Sequence, residues 1–254
     1  MRYVFIYFKS NTIYMLSKNQ IKFIHQLKRK KHRLEQGLFL AEGIKLVEEL
    51  LRSELKVHKL YATAEYETPV SGVPVEVISE RELKSISDFT SPNQVLGIFE
   101  IPAEKEPVRQ GLTVVLDGIN DPGNLGTILR LCDWFGVEQL VCSPNTVDCY
   151  NSKVVQASMG SLARVSVAYC DLLAFIQEER RPVYGTFLDG ENLYETSLDP
   201  EAVLILGNEA NGISKEVEKL VFKKLTIPQF GSKKNTESLN VAMATAIFLS
   251  EFRR

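Results

Sequence analysis

The chain has 254 residues, 44% apolar and 24% charged, with 30 Lys and Arg against 32 Asp and Glu for a formal net charge of −2. That composition is ordinarily globular, enough for one large or two small packed domains. The charge balance excludes a protein that is basic throughout, so any contact with nucleic acid has to be local.

The opening stretch, MRYVFIYFKSNTIYML, holds an apolar burst of only five residues, Val4 to Phe8, followed by Lys9. It has neither the roughly 18 apolar residues of a bilayer span nor a small-residue cleavage site, and no later run comes near that length. No membrane partner is expected. Met15 stands directly before a basic stretch, so residues 1–14 are expected to be an N-terminal extension from an upstream start codon.

From Lys18 to Arg33 the sequence contains seven cations and no acid: Lys18, Lys22, Lys28, Arg29, Lys30, Lys31 and Arg33. Ile21, Phe23, Ile24 and Leu27 recur among them at helical spacing, which predicts an amphipathic helix with a cationic face. A solvated surface and a phosphate-contacting surface are the two readings; sixteen residues without an acid favour phosphate, hence RNA. GLFLAEG, KVHKLYA, VPVEVI and VLGIFEI then read as strands, with IKLVEELLR and the Ser-capped SERELKSI as helices. Residues 15–101 are thus a small α/β domain. The proline- and charge-rich IPAEKEPVRQG marks residues 102–110 as a linker.

Beyond it, short apolar strands alternate with helices from residue 111 to 254: LTVVLD, LGTILRLCDWFG, EQLVCS, RVSVAY, DLLAFIQEE, RPVYGTFL, AVLILG, SKEVEKLV, KLTIP and SLNVAMATAIFLSEF. This predicts an α/β domain with a mainly parallel sheet covered by helices on both faces. Ligands of such sheets lie beyond the carboxyl ends of the strands, which singles out the loops after Leu116, Phe187, Leu206 and Ile227.

Three of these loops concentrate polar and turn-forming residues. In LDGINDPGNLGTILR, Asn124 is placed to cap the following helix and Arg130 falls six residues later; either could equally be a plain cap or a surface charge. In LILGNEANGIS, Gly207 would let a ligand approach the backbone, while Glu209 has the alternative of facing a helix N-terminus. In TIPQFGSKKNTESLNVAMATAIFL, Ser238 reads first as an N-cap, and the helix from Val241 to Leu249 has so little polar surface that burial is expected.

Absences narrow the chemistry. Cys132, Cys142, Cys149 and Cys170 show no CxxC spacing and lie apart from the three histidines, so no metal is expected, and scattered thiols suit a reducing, cytoplasmic setting. Neither a dinucleotide fingerprint nor a phosphate loop of the GxxxxGK[ST] type occurs. No histidine follows His58, which excludes a Ser/His/Asp or Cys/His arrangement in the second domain. Its polar candidates are Asn, Arg, Glu and Ser.

Taken together, DPGNLGTILR, LGNEANGIS and IP…SLNVAMATAI resemble, in order and spacing, the three motifs of the SpoU-type RNA 2′-O-ribose methyltransferases of the SPOUT superfamily. Residues from about 15 to 100 resemble the substrate-binding domain of that family's ribosomal-RNA members. The resemblance implies a C-terminal trefoil knot, a homodimer with the last helix at its interface, and S-adenosyl-L-methionine as cofactor. It implies Gly207, Ile227 and Leu239 as cofactor-binding residues with Thr186 nearby, and Arg130, Asn124, Glu209, Ser238 and Asn240 as catalytic ones.

Arginine stays protonated in proteins. The expectation for Arg130 is therefore that it grips an RNA phosphate and stabilises developing alkoxide; the general base is left open. The loop QFGSKKNTE, with Lys233 and Lys234, is longer than the compact family pattern. Ribosomal RNA is the expected substrate, because members acting on transfer RNA more often have short extensions around the core. The alternatives are the same reaction on transfer RNA and a non-catalytic RNA-binding or assembly factor.

Overall fold

The computed structural model describes residues 15–231 and 238–254. The expected extension at residues 1–14 and the Lys233–Lys234 pair lie outside the described residues. Contacts between Cα atoms divide the chain into two units, Met1–Ile101 and Pro102–Arg254.

In the first unit a four-stranded mixed sheet runs in the order β1 (Leu38–Glu42), β4 (Val95–Glu100), β2 (Val57–Ala62), β3 (Val75–Val77). Side chains alternate across the pleat. Leu38, Leu40, Leu96 and Ile98 join Ile24 and Leu27 of helix α1 (Lys18–Leu27) and Leu83 and Ile86 of α4 (Glu80–Ile86) in one buried cluster. The other face carries Phe39 and Phe99, paired in register with ring centroids 5.8 Å apart, and α3 (Ile44–Leu51) packs against β1 and β4. Ser79 caps α4 as expected, closing a capping box with Glu82.

The cationic stretch is two helices, not one: α1 ends at Leu27 and α2 spans Lys30–Gln36. Arg33 explains the break. It is 2% exposed and donates from Nη1 to the carbonyls of Leu27 (3.1 Å) and Lys28 (2.9 Å), groups that the end of a helix leaves without partners. Arg33 therefore leaves the expected phosphate-binding set; its charge is spent on the corner between α1 and α2. Lys28 is paired with Asp88 at 2.5 Å. Lys18, Lys22, Arg29, Lys30 and Lys31 are exposed.

The second unit is a six-stranded sheet, parallel throughout, in the order β10 (Lys223–Thr226), β8 (Val183–Asn192), β9 (Val203–Gly207), β5 (Thr113–Asp117), β6 (Gln139–Cys142), β7 (Ser166–Tyr169). One face holds Val115, Val141, Val203 and Ile205 against α7 (Leu172–Gln177) and α8 (Lys215–Glu218). On the other, α5 (Pro122–Trp134) packs against both α6 (Ser152–Ser158) and α9 (Val241–Phe252). Gly126 makes the α5–α6 contact possible, since a Cβ there would sit 2.4 Å from Ala157 Cβ. Val108 and Arg109, expected in the linker, are fastened to this unit: Val108 exchanges two hydrogen bonds with the Gln139 side chain, and Arg109 reaches the Phe175 carbonyl and Glu178.

Two expectations are corrected by the strands and the last helix. β8 does not end at Phe187; its pairing with β10 jumps from Gly185 to Glu191, so residues 186–190 bulge out of the ladder. Helix α9 buries one face only, through Ala242, Thr245, Phe248, Leu249 and Phe252, while Met243 is 61% exposed.

Candidate active site

The loops after β5 and β9 and the start of α9 converge, and Asn124 is their hub. Its Nδ2 donates to Glu209 Oε1 at 2.9 Å, and its Oδ1 accepts from Asn240 Nδ2 at 2.9 Å. The amide orientation is dictated, because a carboxylate can only accept. Asn240 in turn caps α9, its Oδ1 accepting from the N–H groups of Ala242 and Met243. Glu209 also receives longer bonds, 3.4 Å each, from the N–H groups of Asn120 and Asp121 at the threshold of α5, the anion-favouring end of a helix. One chain of hydrogen bonds thus ties the N-terminus of α5 to that of α9 through three distant segments.

The capping roles differ from those expected. Asp121, not Asn124, caps α5, accepting from Asn124 N–H at 2.8 Å with Pro122 at the first helical position. Asn240, not Ser238, caps α9. The side chains of Asn124 and Ser238 are thereby released from cap duty; Asn124 is half-buried and Ser238 exposed.

Beside this chain lies a cavity of 680 Å³ lined by 21 residues, among them Thr186, Gly207, Glu209, Ile227, Ser238, Leu239 and Asn240. All four expected cofactor-binding residues and three of the five expected catalytic ones border it. Asn124 touches it through its partners only. Arg130 does not line it: the side chain is exposed on α5 and makes no hydrogen bond or ion pair among the described residues.

Besides lining the cavity, Gly207 answers a steric need of the chain itself. A Cβ on it would lie 2.2 Å from Gly212 C and from Ile213 N, so the backbone that approaches closely is the chain's own. Asn208 and Gly212 exchange both backbone hydrogen bonds at 2.9 Å, closing a tight loop over Gly207. Asn208 Nδ2 reaches the Gly118 carbonyl (2.6 Å), and Asp117 Oδ2 accepts from Ser214 N–H (2.8 Å), which pins this loop to the end of β5.

Sequence reasoning missed Asp189, Glu218, Leu188 and Phe187 as cavity residues. Asp189 and Leu188 follow from the bulge in β8, where the sequence points to a loop after Phe187 without naming its residues. Glu218 is paired with Lys224, whose ammonium also stands 4.5 Å over the Phe187 ring.

The cavity suits the cofactor that the motifs imply. Its volume is that of a small-molecule site. Leu206, Ile213, Val241, Ala244 and Phe248 give an apolar wall, and Asp189, Glu209 and Glu218 place carboxylates around it, the charge that a sulfonium cation requires. Among the described residues no group of three or more His, Cys, Asp or Glu is arranged to hold a metal ion.

Comparison with known proteins agrees with the fold and the motifs. Residues 111–250 match the SpoU rRNA Methylase family and residues 18–97 the MRM3-like substrate binding domain. The chain belongs to the SpoU rRNA methylase family. It is 31% identical to 23S rRNA (guanosine(2553)-2′-O)-methyltransferase RlmP of Bacillus subtilis, over 93% of this chain and 97% of that one. A solved structure assigned to the TrmH family of RNA methyltransferases, from Porphyromonas gingivalis, is 45% identical with a TM-score of 0.85, covering 94% of this chain and 99% of the other. An AdoMet-bound rRNA methyltransferase from Sinorhizobium meliloti is 31% identical with a TM-score of 0.82, covering 95% and 96%.

Proposed function

We infer that this protein transfers a methyl group from S-adenosyl-L-methionine to a ribose 2′-hydroxyl of ribosomal RNA. The observation that carries the reading is the hydrogen-bonded chain Glu209–Asn124–Asn240 at the rim of the cavity. A protein that only bound RNA would have no need to join the three motifs there. The B. subtilis relative is named for 2′-O-methylation of 23S rRNA, which favours ribosomal over transfer RNA. The S. meliloti structure contains AdoMet.

Thr186, Gly207, Ile227 and Leu239 would hold the cofactor, which supplies an electrophilic methyl carbon. The chain's own work is alignment and charge. Ser238 and Asn240 stand at the mouth, where hydroxyl and amide groups can orient the ribose, and Asn124 keeps Asn240 in place. Positioning of this kind supplies much of the rate of a displacement at carbon. Glu209 already accepts from the Asn124 amide, which restricts where an incoming hydroxyl finds a lone pair. Arg130, with no partner among the described residues, is available to grip an RNA phosphate and stabilise negative charge developing on the 2′-oxygen. The exposed cations Lys18, Lys22, Arg29, Lys30 and Lys31 supply further phosphate contacts from the first unit.

A homodimer and a C-terminal knot belong to the same reading. On α5, Thr127, Arg130 and Trp134 fall on one stripe, with Trp134 85% exposed, and Met243 is open on the neighbouring α9. A second copy covering these side chains would set Arg130 at the boundary between copies. A reducing, cytoplasmic location is in keeping with four cysteines that form no disulfide.

Calorimetry with S-adenosylmethionine and methyl-transfer assays on ribosomal RNA test the reading together. Arg130→Ala is expected to lower turnover at least 100-fold with cofactor affinity unchanged. Full turnover in that variant would refute the role given to Arg130, and no cofactor binding by the parent would refute the reading as a whole.

A further inference from the structure

We propose that Tyr194 and Phe230 form a stacking platform for an unpaired RNA base beside the methyl-transfer cavity. The platform rests on the reading of the cavity given above.

The two rings lie 6.4 Å apart, centroid to centroid, tilted by 31°. Tyr194 is 38% exposed and Phe230 84%, so their mutual contact leaves most of Phe230 in water. Covering a phenyl ring removes apolar surface from water, which is favourable, and among the described residues nothing else covers this one. Neither ring lines the cavity, but the turn that carries Tyr194 packs against α9, whose Val241, Ala244 and Phe248 do, and Phe230 contacts the Tyr194 ring. Phe230 follows Ile227, a lining residue, by three positions; Leu188, another lining residue, is 77% exposed.

Tyr194 is held firmly. It belongs to a 3-10 turn, Leu193–Glu195, in which Asn192 Oδ1 accepts from Tyr194 N–H at 3.1 Å and Leu193 is buried. A ring fixed on a rigid turn loses little freedom when a ligand stacks on it.

The charges of the rim select the kind of group. Asp189, Glu191 and Glu195 are exposed around Tyr194 in the sequence; Glu191 is paired with Lys223 at 3.0 Å, so Asp189 and Glu195 supply the charge that disfavours a phosphate. A neutral, flat, partly apolar group is what two open aromatic faces beside carboxylates accept, and a nucleobase is that group. A ribose offered to the cavity carries its base on the adjacent carbon, so a base must lie within one nucleotide of the mouth. Sequence-specific RNA recognition commonly splays such bases onto aromatic side chains.

Two experiments decide the matter. A ribosomal-RNA transcript carrying 5-iodouridine is irradiated with the intact protein, and adducts are mapped by mass spectrometry; a cross-link on Tyr194 or Phe230 is expected, and it needs no methyl transfer. In parallel, Tyr194→Ala, Phe230→Ala and the double variant are assayed with the unsubstituted transcript. Each single change is expected to lower kcat/KM about 10- to 100-fold, the scale of one lost stacking contact, with cofactor affinity unchanged and with Tyr194→Phe and Phe230→Trp close to the parent.

An unchanged kcat/KM with no adduct on either ring overturns the proposal. So does a parallel fall in S-adenosylmethionine affinity, which assigns the rings to the cofactor, or a change in sedimentation, which assigns them to a contact between copies. A parent protein that transfers no methyl group counts against the methyltransferase reading, and cross-linking alone then decides on the platform.

Discussion

Replacing Gly207 with alanine probes the loop over the cavity more sharply than any polar change. The backbone at Gly207 does not need a positive φ, so alanine is penalised only by space. Its Cβ would meet Gly212 C and Ile213 N at 2.2 Å and Gly212 O at 2.6 Å, well inside the roughly 3.5–4 Å of an optimal carbon contact. The obstacle is backbone, which has to withdraw by roughly 1 Å to reach even a tight contact. That movement breaks the paired bonds between Asn208 and Gly212, each worth about 0.5–1.5 kcal/mol, and adds overpacking strain of about 1–3 kcal/mol. A total loss of about 2–6 kcal/mol is expected.

Gly212→Ala is the internal control. Gly212 has φ +68°, but a Cβ added there would have no atom within 4 Å, so the cost is conformational, about 1–2 kcal/mol. Urea unfolding at neutral pH measures both, and calorimetric titration with S-adenosylmethionine measures the cavity. Gly207→Ala should be the less stable variant and bind the cofactor at least tenfold more weakly. If it loses under about 1 kcal/mol and binds as the parent does, the close backbone crossing does not shape the cavity.

Other consequences are equally direct. Replacing Lys22, Arg29 and Lys31 with alanine should lower the slope of log affinity for RNA against log salt by about two to three, since each phosphate contact contributes about 0.7–0.9; Arg33→Ala should leave the slope alone and instead cost about 1–3 kcal/mol in urea unfolding, the loss of a charged, buried donor. Burial works to raise the pKa of Glu179, but hydrogen bonds from the Arg181 side chain and from the N–H groups of Arg181 and Arg180, with the Arg181 charge, hold it at about 2. A folded pKa below the unfolded value of about 4.3 stabilises above that pH and loses the stabilisation as pH falls toward 2. The gap in stability between the parent and Glu179→Gln, on the order of 3 kcal/mol at neutral pH, should therefore narrow between about pH 5 and pH 2; a constant gap would contradict the assignment. Burial pushes the Cys132 thiol up to about 12 and raises Cys142 and Cys170 as well. In the native protein a disulfide reagent should modify Cys170, the one thiol that is not fully buried, first, with Cys132, Cys142 and Cys149 protected until unfolding.

The site is legible in the sequence where turn chemistry and strand ends carry the signal. LDGINDPGN and LILGNEANG each interrupt an apolar strand with residues that have no place inside a sheet, and the loops they form do converge. What stays hidden depends on contacts between distant residues. Asn124 and Asp121 are both good caps, and only the placement of Glu209 and Asn240 decides that Asp121 caps while Asn124 bridges. Arg33 reads as one more surface cation, because a run of basic residues does not reveal which one turns inward to close a helix corner. The glycine at 207 suggests a ligand, but the close neighbour is Gly212–Ile213. Composition conceals the half-open α9: a helix with no polar face can be left uncovered within a single chain. The bulge at residues 186–190, which brings Leu188 and Asp189 to the cavity, shows in the sequence only as the Asp189–Gly190 turn signal, which reads as the end of a strand.

The central claim is chemical, and product analysis of the RNA tests it most directly. Purified protein, S-adenosylmethionine and unmodified ribosomal RNA are incubated, and the RNA is hydrolysed in alkali, which cleaves only next to a free 2′-hydroxyl. The account predicts an alkali-resistant dinucleotide whose ribose carries the added methyl group, absent with Arg130→Ala. Label recovered on a base, or none in RNA at all, would contradict it.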